Sequence, residues 1–358
     1  MKQIFSAILS ILTLNSFAQT DSTKSPLSFS GYIETYYSYD MAAPVDHAKP
    51  GFVYSHNRHN EVNINIGFVK ANYQTSNTRM NFALMTGTYS NANLAAEPGV
   101  LKNIYEGNVG VKISKKNNLW VDAGIFASHI GFESAIGKDC WNLTRSMLAD
   151  NSPYFESGVK ISYTNTSGKW FLSGLVLNGW QRIQRPTGYN TPAFGHQLVF
   201  KPNGKITLNS SSFIGSDTPD STRCMRYFHN FYGQFQITDK LGMITGFDIG
   251  FQQVAKGSDN YNSWYAPVLI VKYDPNQKWS IAVRGEYYTD EKGVIINTGT
   301  ANGFQTYGYS LNLDYHIADN IVWRIEGKGL GSKDKIFVLD SKPDTQNYSF
   351  TSALAISF

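Results

Sequence analysis

The chain has 358 residues, of which 16% are charged and 14% aromatic, with Tyr and Phe at 22 each. A soluble domain usually carries roughly 25% charged residues, so this balance suits a protein wetted by water on one side only. A formal net charge of +4, with no Lys/Arg run, gives no footing for nucleic-acid binding. Two cysteines are too few for a disulfide scaffold.

The opening residues, MKQIFSAILSILTLNSFAQT, carry the three parts of a secretory signal peptide. Lys2 is the positive start, residues 4–14 are the apolar run, and Ser16-Phe17-Ala18 is a small-x-small site, so cleavage is expected after Ala18. The run is too short for a membrane anchor, and no cysteine follows the site as a lipoprotein would need. Residues 19–26, QTDSTKSP, read as a mobile leader. Residues 27–358 read as one domain.

Beyond the signal, no apolar run approaches the ~20 residues of a membrane helix. Segments alternating between large apolar and small or polar residues recur instead. Because strand side chains alternate between faces, each predicts a strand between two different solvents. The clearest are 27–39, 62–68, 108–114, 120–128, 227–237, 241–251, 279–288, 307–317, 321–328 and 348–358. Weaker segments at 79–90, 158–164, 169–181, 193–201, 205–215 and 263–273 bring the predicted total to sixteen. Their lengths sit near or somewhat above the ~9–11 residues of a tilted membrane strand.

Seven connections are tight and rich in turn formers: 75–78, 115–118, 165–169, 202–205, 238–240, 274–278 and 318–320. Eight are longer: 41–59, 91–101, 129–153, 182–192, 216–223, 255–262, 289–303 and 329–346. Long and short alternate strictly, as in an outer-membrane barrel with short periplasmic turns and long external loops. A β-sandwich or propeller would also alternate along its strands, but nothing would make one end of every hairpin long. Tyr37, Tyr39, Trp120, Trp264, Trp279, Tyr287, Tyr288, Tyr307, Tyr315 and Trp323 are candidates for the headgroup-level aromatic belts. The predicted fold is an all-β transmembrane antiparallel barrel of about sixteen strands.

A barrel that wide cannot be filled by wall side chains, so a water-filled lumen is expected. Alternation then assigns the charges. In 279–288, Trp279, Ile281, Val283, Gly285 and Tyr287 face lipid, and Arg284 and Glu286 face in. In 321–328, Ile321, Trp323 and Ile325 face out, and Arg324, Glu326 and Lys328 face in. Glu34, Asp122, Lys160, Gln234 and Asp248 fall on the inner list as well. These charges could shape the field across a pore, or they could be paired wall charges without a selective role; alternation does not choose.

The histidines give no sign of a metal or catalytic centre. His47, His56 and His59 share a loop without metal-ligand spacing. His196, His229 and His316 are scattered singly, with no nucleophile beside a base. No enzyme activity, metal or cofactor is expected.

Three stretches resemble the OmpL-like beta-barrel porin family of Gram-negative outer membranes. In 129–163 these are Gly131-Phe132-Glu133, Asn142, Thr144-Arg145-Ser146, Pro153 and Gly158-Val159. The second is RGEYYTDEKGV, 284–294, and the third LDYHIADNIVWRIEGK, 313–328. The chain departs at Cys140 and at Gly327, where an aromatic is more usual. The resemblance implies an outer-membrane porin for passive diffusion of small hydrophilic solutes. The alternative is a surface-exposed binding or adhesion barrel whose loops engage a partner. Resemblance to porins in general implies that the third loop, 129–153, folds into the lumen, making Glu133, Lys138, Asp139 and Arg145 candidate constriction charges. It also implies a homotrimer as one assembly, with lipid and the barrel-assembly machinery as partners. The final strand, YSFTSALAISF, is expected to close the barrel against 27–39. Phe358 at its end is similar to the terminal aromatic recognised by that machinery. Cys140 in the loop and Cys224 at a strand end are both expected on the outer side. A disulfide between them needs Cα atoms within ~7 Å; that pairing and two separate thiols are both open.

Overall fold

The computed structural model describes residues 25–339 and 341–358. The expected signal peptide and residues 19–24 of the expected leader lie outside the described residues. Fifteen barrel strands run in chain order: β1 (Leu27–Asp40), β2 (Val62–Gln74), β3 (Thr78–Thr86), β4 (Ile104–Lys112), β5 (Asn118–Ala127), β6 (Phe155–Thr164), β7 (Trp170–Leu177), β8 (Ala193–Asn203), β9 (Ile206–Ser216), β10 (Met225–Gln236), β11 (Leu241–Gln253), β12 (Tyr261–Asn276), β13 (Trp279–Asp290), β14 (Phe304–Ala318) and β15 (Ile321–Ser332). A small hairpin, β16 (Phe337–Leu339) with β17 (Lys342–Asp344), stands in the last long loop before the final barrel strand, β18 (Gln346–Ser357). Each barrel strand pairs antiparallel with its neighbours, and β1 pairs with β18, so sixteen strands close the barrel. Closure leaves no unpaired sheet edge.

All sixteen predicted strands are present. The differences are at their ends. The second strand continues to Gln74, because Lys70 and Asn72 keep the inner-face period after the apolar run stops. The third stops at Thr86, where Gly87 at φ 129° turns the chain into a short helix, Thr88–Asn93. The hairpin β16–β17 carries no alternation long enough to announce it.

Outward residues are apolar and exposed, among them Ile281, Val283, Leu311, Trp323, Phe350 and Leu354. Their inward neighbours Arg284, Asn312, Arg324 and Ala353 are buried. Three expected belt residues belong inside instead. Trp120, Trp264 and Tyr288 are at most 7% exposed. Trp120 lies under the Arg79 guanidinium, 4.4 Å from its ring centre; Tyr288 packs edge-on to Phe304. An aromatic near a strand end serves either face, and only its parity decides.

At the seam, register runs from Tyr32↔Ser357 to Asp40↔Ser349. Gly31 and Phe358 extend it, each backbone N–H donating to the other's carbonyl at 3.0 Å. The Phe358 ring lies over Gly31, and a Cβ there would sit 2.4 Å from it. A larger residue there would have to push the Phe358 ring aside. The wall makes a direct prediction. Leu311→Arg, in the middle of β14's lipid face, should lower stability in bilayers by ~2–4 kcal/mol. Denaturant unfolding in lipid vesicles checks this, and an unchanged midpoint would contradict the facing.

Candidate functional site

The segment 128–154, between β5 and β6, folds into the lumen. Its shape is set by its own polar groups. The Arg145 guanidinium donates to the carbonyls of Ser134 (2.7 Å), Leu143 (2.6 Å) and Ala135 (3.3 Å), pinning one limb to the other. Ser146 caps the short helix Met147–Asp150, its Oγ accepting from Ala149 N–H at 3.2 Å. Ser146 also donates its N–H to Glu133 at 3.0 Å. Arg145 is 1% exposed, so this guanidinium organises the loop and is not presented to a channel.

The folded loop docks on β13, β14 and β15. Asn142 Nδ2 donates to Ser310 Oγ (3.1 Å), and Leu143 N–H donates to Asn312 Oδ1 (3.0 Å). Thr144 gives both its N–H (2.6 Å) and its hydroxyl (2.8 Å) to Glu326, while Met147 N–H donates to Glu286. From the wall, Arg324 donates to the carbonyls of Gly137 (2.6 Å) and Cys140 (2.9 Å). Arg284 donates to that of Thr144 (2.7 Å), and Lys328 to that of Arg145 (3.1 Å).

An ion cluster underlies the dock. Arg284 lies 3.0 Å from Glu326, 3.3 Å from Glu286 and 3.7 Å from Glu133; Lys328 lies 3.2 Å from Glu286. Arg324 pairs with Asp314 at 2.7 Å. Charges so deeply buried are stable only while paired, and removing one partner of such a pair costs about 3–5 kcal/mol. Of the candidate constriction charges, then, Glu133, Arg284, Glu286, Glu326 and Lys328 come together, and Arg324 joins them through the loop backbone.

The others stand apart. The loop reaches down to the seam, where Lys138 Nζ donates to Ser357 Oγ at 3.0 Å and Lys138 N–H to the Tyr32 hydroxyl at 3.3 Å. Asp139 beside it is exposed. Glu34 accepts from Tyr32, His56 and Asn65 at 2.7–2.9 Å. Asp122 pairs with Arg79, and Asp248 is buried against Asn230. Cys140 and Cys224 are both free thiols. Cys140 does not lie on the outer side as expected. The loop carries it down to Arg324 in the wall, and burial pushes its thiol up to about 11.

Across the lumen, part of the β2–β6 wall keeps charges in contact with water, while Asp122 and Glu156 are buried. Lys70 pairs with Glu106 at 2.6 Å, with side chains 26% and 15% exposed, and Arg79, paired with Asp122, is 28% exposed. Lys160 lies 4.6 Å over the Phe126 ring. Lys70, Arg79 and Glu106 were not among the expected lumen charges. The period of 62–74, carried past Phe68, contains the signal for Lys70.

His129 anchors the start of the loop. Its Nδ1 is 2.8 Å from Glu156 and its Nε2 2.8 Å from the Ser212 carbonyl. A carboxylate and a carbonyl beside the two nitrogens favour the doubly protonated ring. Burial opposes that charge, but Glu156 and the Ser212 carbonyl outweigh it and raise the pKa.

The family model described as "Putative beta-barrel porin-2, OmpL-like" matches residues 26–358. The chain belongs to this porin family. No curated protein matches the sequence significantly. Among solved structures, this OmpL-like porin is similar to the anion-selective porin from Comamonas acidovorans, at 9% identity over 93% of this chain and 99% of that one, with TM-score 0.62. It is similar to the outer membrane channel DcaP of Acinetobacter baumannii at 10% identity, 93% and 97% coverage and TM-score 0.61. It is also similar to OmpT of Vibrio cholerae in its trimer form, at 10% identity, 93% and 99% coverage and TM-score 0.59. At these identities the likeness is one of fold. Family membership makes the chain a channel-forming porin of the Gram-negative outer membrane.

Two predictions follow from the dock. Arg284→Ala should leave the barrel formed but strand the Glu133 and Glu326 carboxylates, so that segment 129–153 is released. Protease cleavage after Lys138 and Arg145 should then speed up and single-channel conductance should rise; wild-type values of both would refute the anchoring role. The second concerns pH. Because the folded protein holds the His129 proton more tightly, its contribution is complete below the ordinary value of about 6.5 and is lost as pH rises through the raised value. Protection of the loop against hydrogen exchange should therefore fall on the alkaline side in wild type, and His129→Gln should remove that component.

Proposed function

We propose that this porin admits small hydrophilic solutes by passive diffusion along the water-exposed wall of β2–β6, past the docked loop. The carrying observation is the contrast between the two sides of the lumen. Charges on β13–β15 are buried beneath the loop, whereas Lys70, Arg79 and Glu106 remain open to water. A wetted charged wall offers ions a low-cost surface and sets their preference by its sign. Arg284, Glu286, Arg324, Glu326 and Lys328 then act by holding the loop, and Lys138 and Asp139 line the passage at its lower end. No step in this transport requires a catalytic group or cofactor.

The trimer form of Vibrio OmpT supports a homotrimer for this chain. The outward Phe358, seated on Gly31, supports its reading as the signal offered to the barrel-assembly machinery. Removal of residues 1–18 on export is part of the same proposal.

Planar-bilayer recording tests the path. The refolded barrel should conduct in KCl, and Lys70→Glu should move the zero-current potential in a salt gradient toward cation preference. A barrel that never conducts would favour the adhesion alternative, and an unmoved potential would take Lys70 off the path.

A further inference from the structure

At the external end of the lumen, several loops and the start of β10 meet around a cavity of about 300 Å³. Arg226, near the start of β10, is buried there. Its guanidinium carbon lies 4.9 Å from the Trp180 ring centre and 5.8 Å from that of Trp264, so the group is fixed between two indoles. Its Nε donates to Gln252 at 2.9 Å. Arg182, from the loop 178–192, reaches the same cavity. Both arginines share one carboxylate: Asp217 is 3.3 Å from Arg182 and 3.8 Å from Arg226.

The unsatisfied atoms are all donors. Arg182 Nε is buried without an acceptor, and so is Nδ2 of Asn93, a residue only 7% exposed at the end of the helix Thr88–Asn93. The other acid lining the cavity, Asp150, already accepts from Ser55 Oγ at 3.1 Å and Tyr54 N–H at 3.3 Å. Buried donors without acceptors are costly and rare. A ligand supplying acceptor oxygens would satisfy them, and a planar carboxylate matches the guanidinium fork.

We propose that this cavity is a binding site for small organic carboxylates, with Arg182, Arg226 and Asn93 taking the oxygens and Trp180 covering the carbon chain. The site would be a station on the diffusion path, and so it rests on the porin reading. The volume is at the lower end for small-molecule sites, which limits the ligand to a few carbons.

Succinate is a suitable probe, with glucose as the uncharged control. The full-length refolded barrel is titrated in detergent by tryptophan fluorescence, with Trp180→Phe assigning the signal. Succinate is then added to the external side of a bilayer carrying KCl current. A saturable fluorescence change and partial block are expected with succinate but not glucose. Arg182→Gln and Asn93→Ala, each checked for barrel formation by heat-modifiable migration, should raise the half-saturating concentration about tenfold or more, a change of about 1.4 kcal/mol. Absence of saturation in wild type, equal response to glucose, or variants titrating as wild type would overturn the site. If the barrel conducts no KCl, the porin reading fails, while the fluorescence titration still decides the site.

Discussion

The Arg284 guanidinium is the interaction on which the lumen depends. It sits in the wall within 3.7 Å of Glu133, Glu286 and Glu326, and Glu133 belongs to the loop. One cation thus holds together carboxylates that would otherwise repel each other and favour water. Residues 142–147 are laid over this cluster, and the N–H groups of Thr144 and Met147 donate to Glu326 and Glu286. The wall charges and the loop are mutually required: where the loop buries the wall, the charges are held by their pairing with Glu133 and by the loop backbone.

This divides the inner charges into two populations that carry the same residue types. On β13–β15 the charges are spent on a fixed shape. On β2–β4, Lys70, Arg79 and Glu106 keep contact with water. Alternation alone cannot separate the two, because it reports which face a residue occupies and not what covers that face. The same gap explains the misplaced aromatics. Trp120 and Tyr288 have the composition and position of belt residues, yet their parity turns them toward buried partners inside.

The strand layout was legible because a barrel wall has a strict period of two and a different solvent on each face, which writes itself into residues such as Ile281, Val283 and Arg284. The direction of the third loop was legible only by likeness to porins. Its depth was not legible at all. Cys140 belongs to a loop that begins on the external side, and nothing local says that it ends beside Arg324. The cavity at the external end was equally hidden, since Asn93, Arg182, Asp217 and Arg226 are brought together from separate loops and a strand end.

The seam between β1 and β18 has a consequence for how the molecule comes to exist. The strands that meet there are more than 300 residues apart in sequence, as the bond from Thr35 to the Leu354 carbonyl spans 319 positions. Contacts so distant in the chain form late, because their loop must be closed before they contribute. The loop that crosses the lumen is under the same constraint. It precedes β13–β15 in the chain by more than a hundred residues, and the N–H groups of Leu143, Thr144 and Met147 find their wall partners only when those strands stand beside it. This part of the interior is therefore organised only once β13–β15 have formed. Until β13–β15 stand in the wall, the third loop lacks the surface that Arg284, Glu326 and Arg324 present to it.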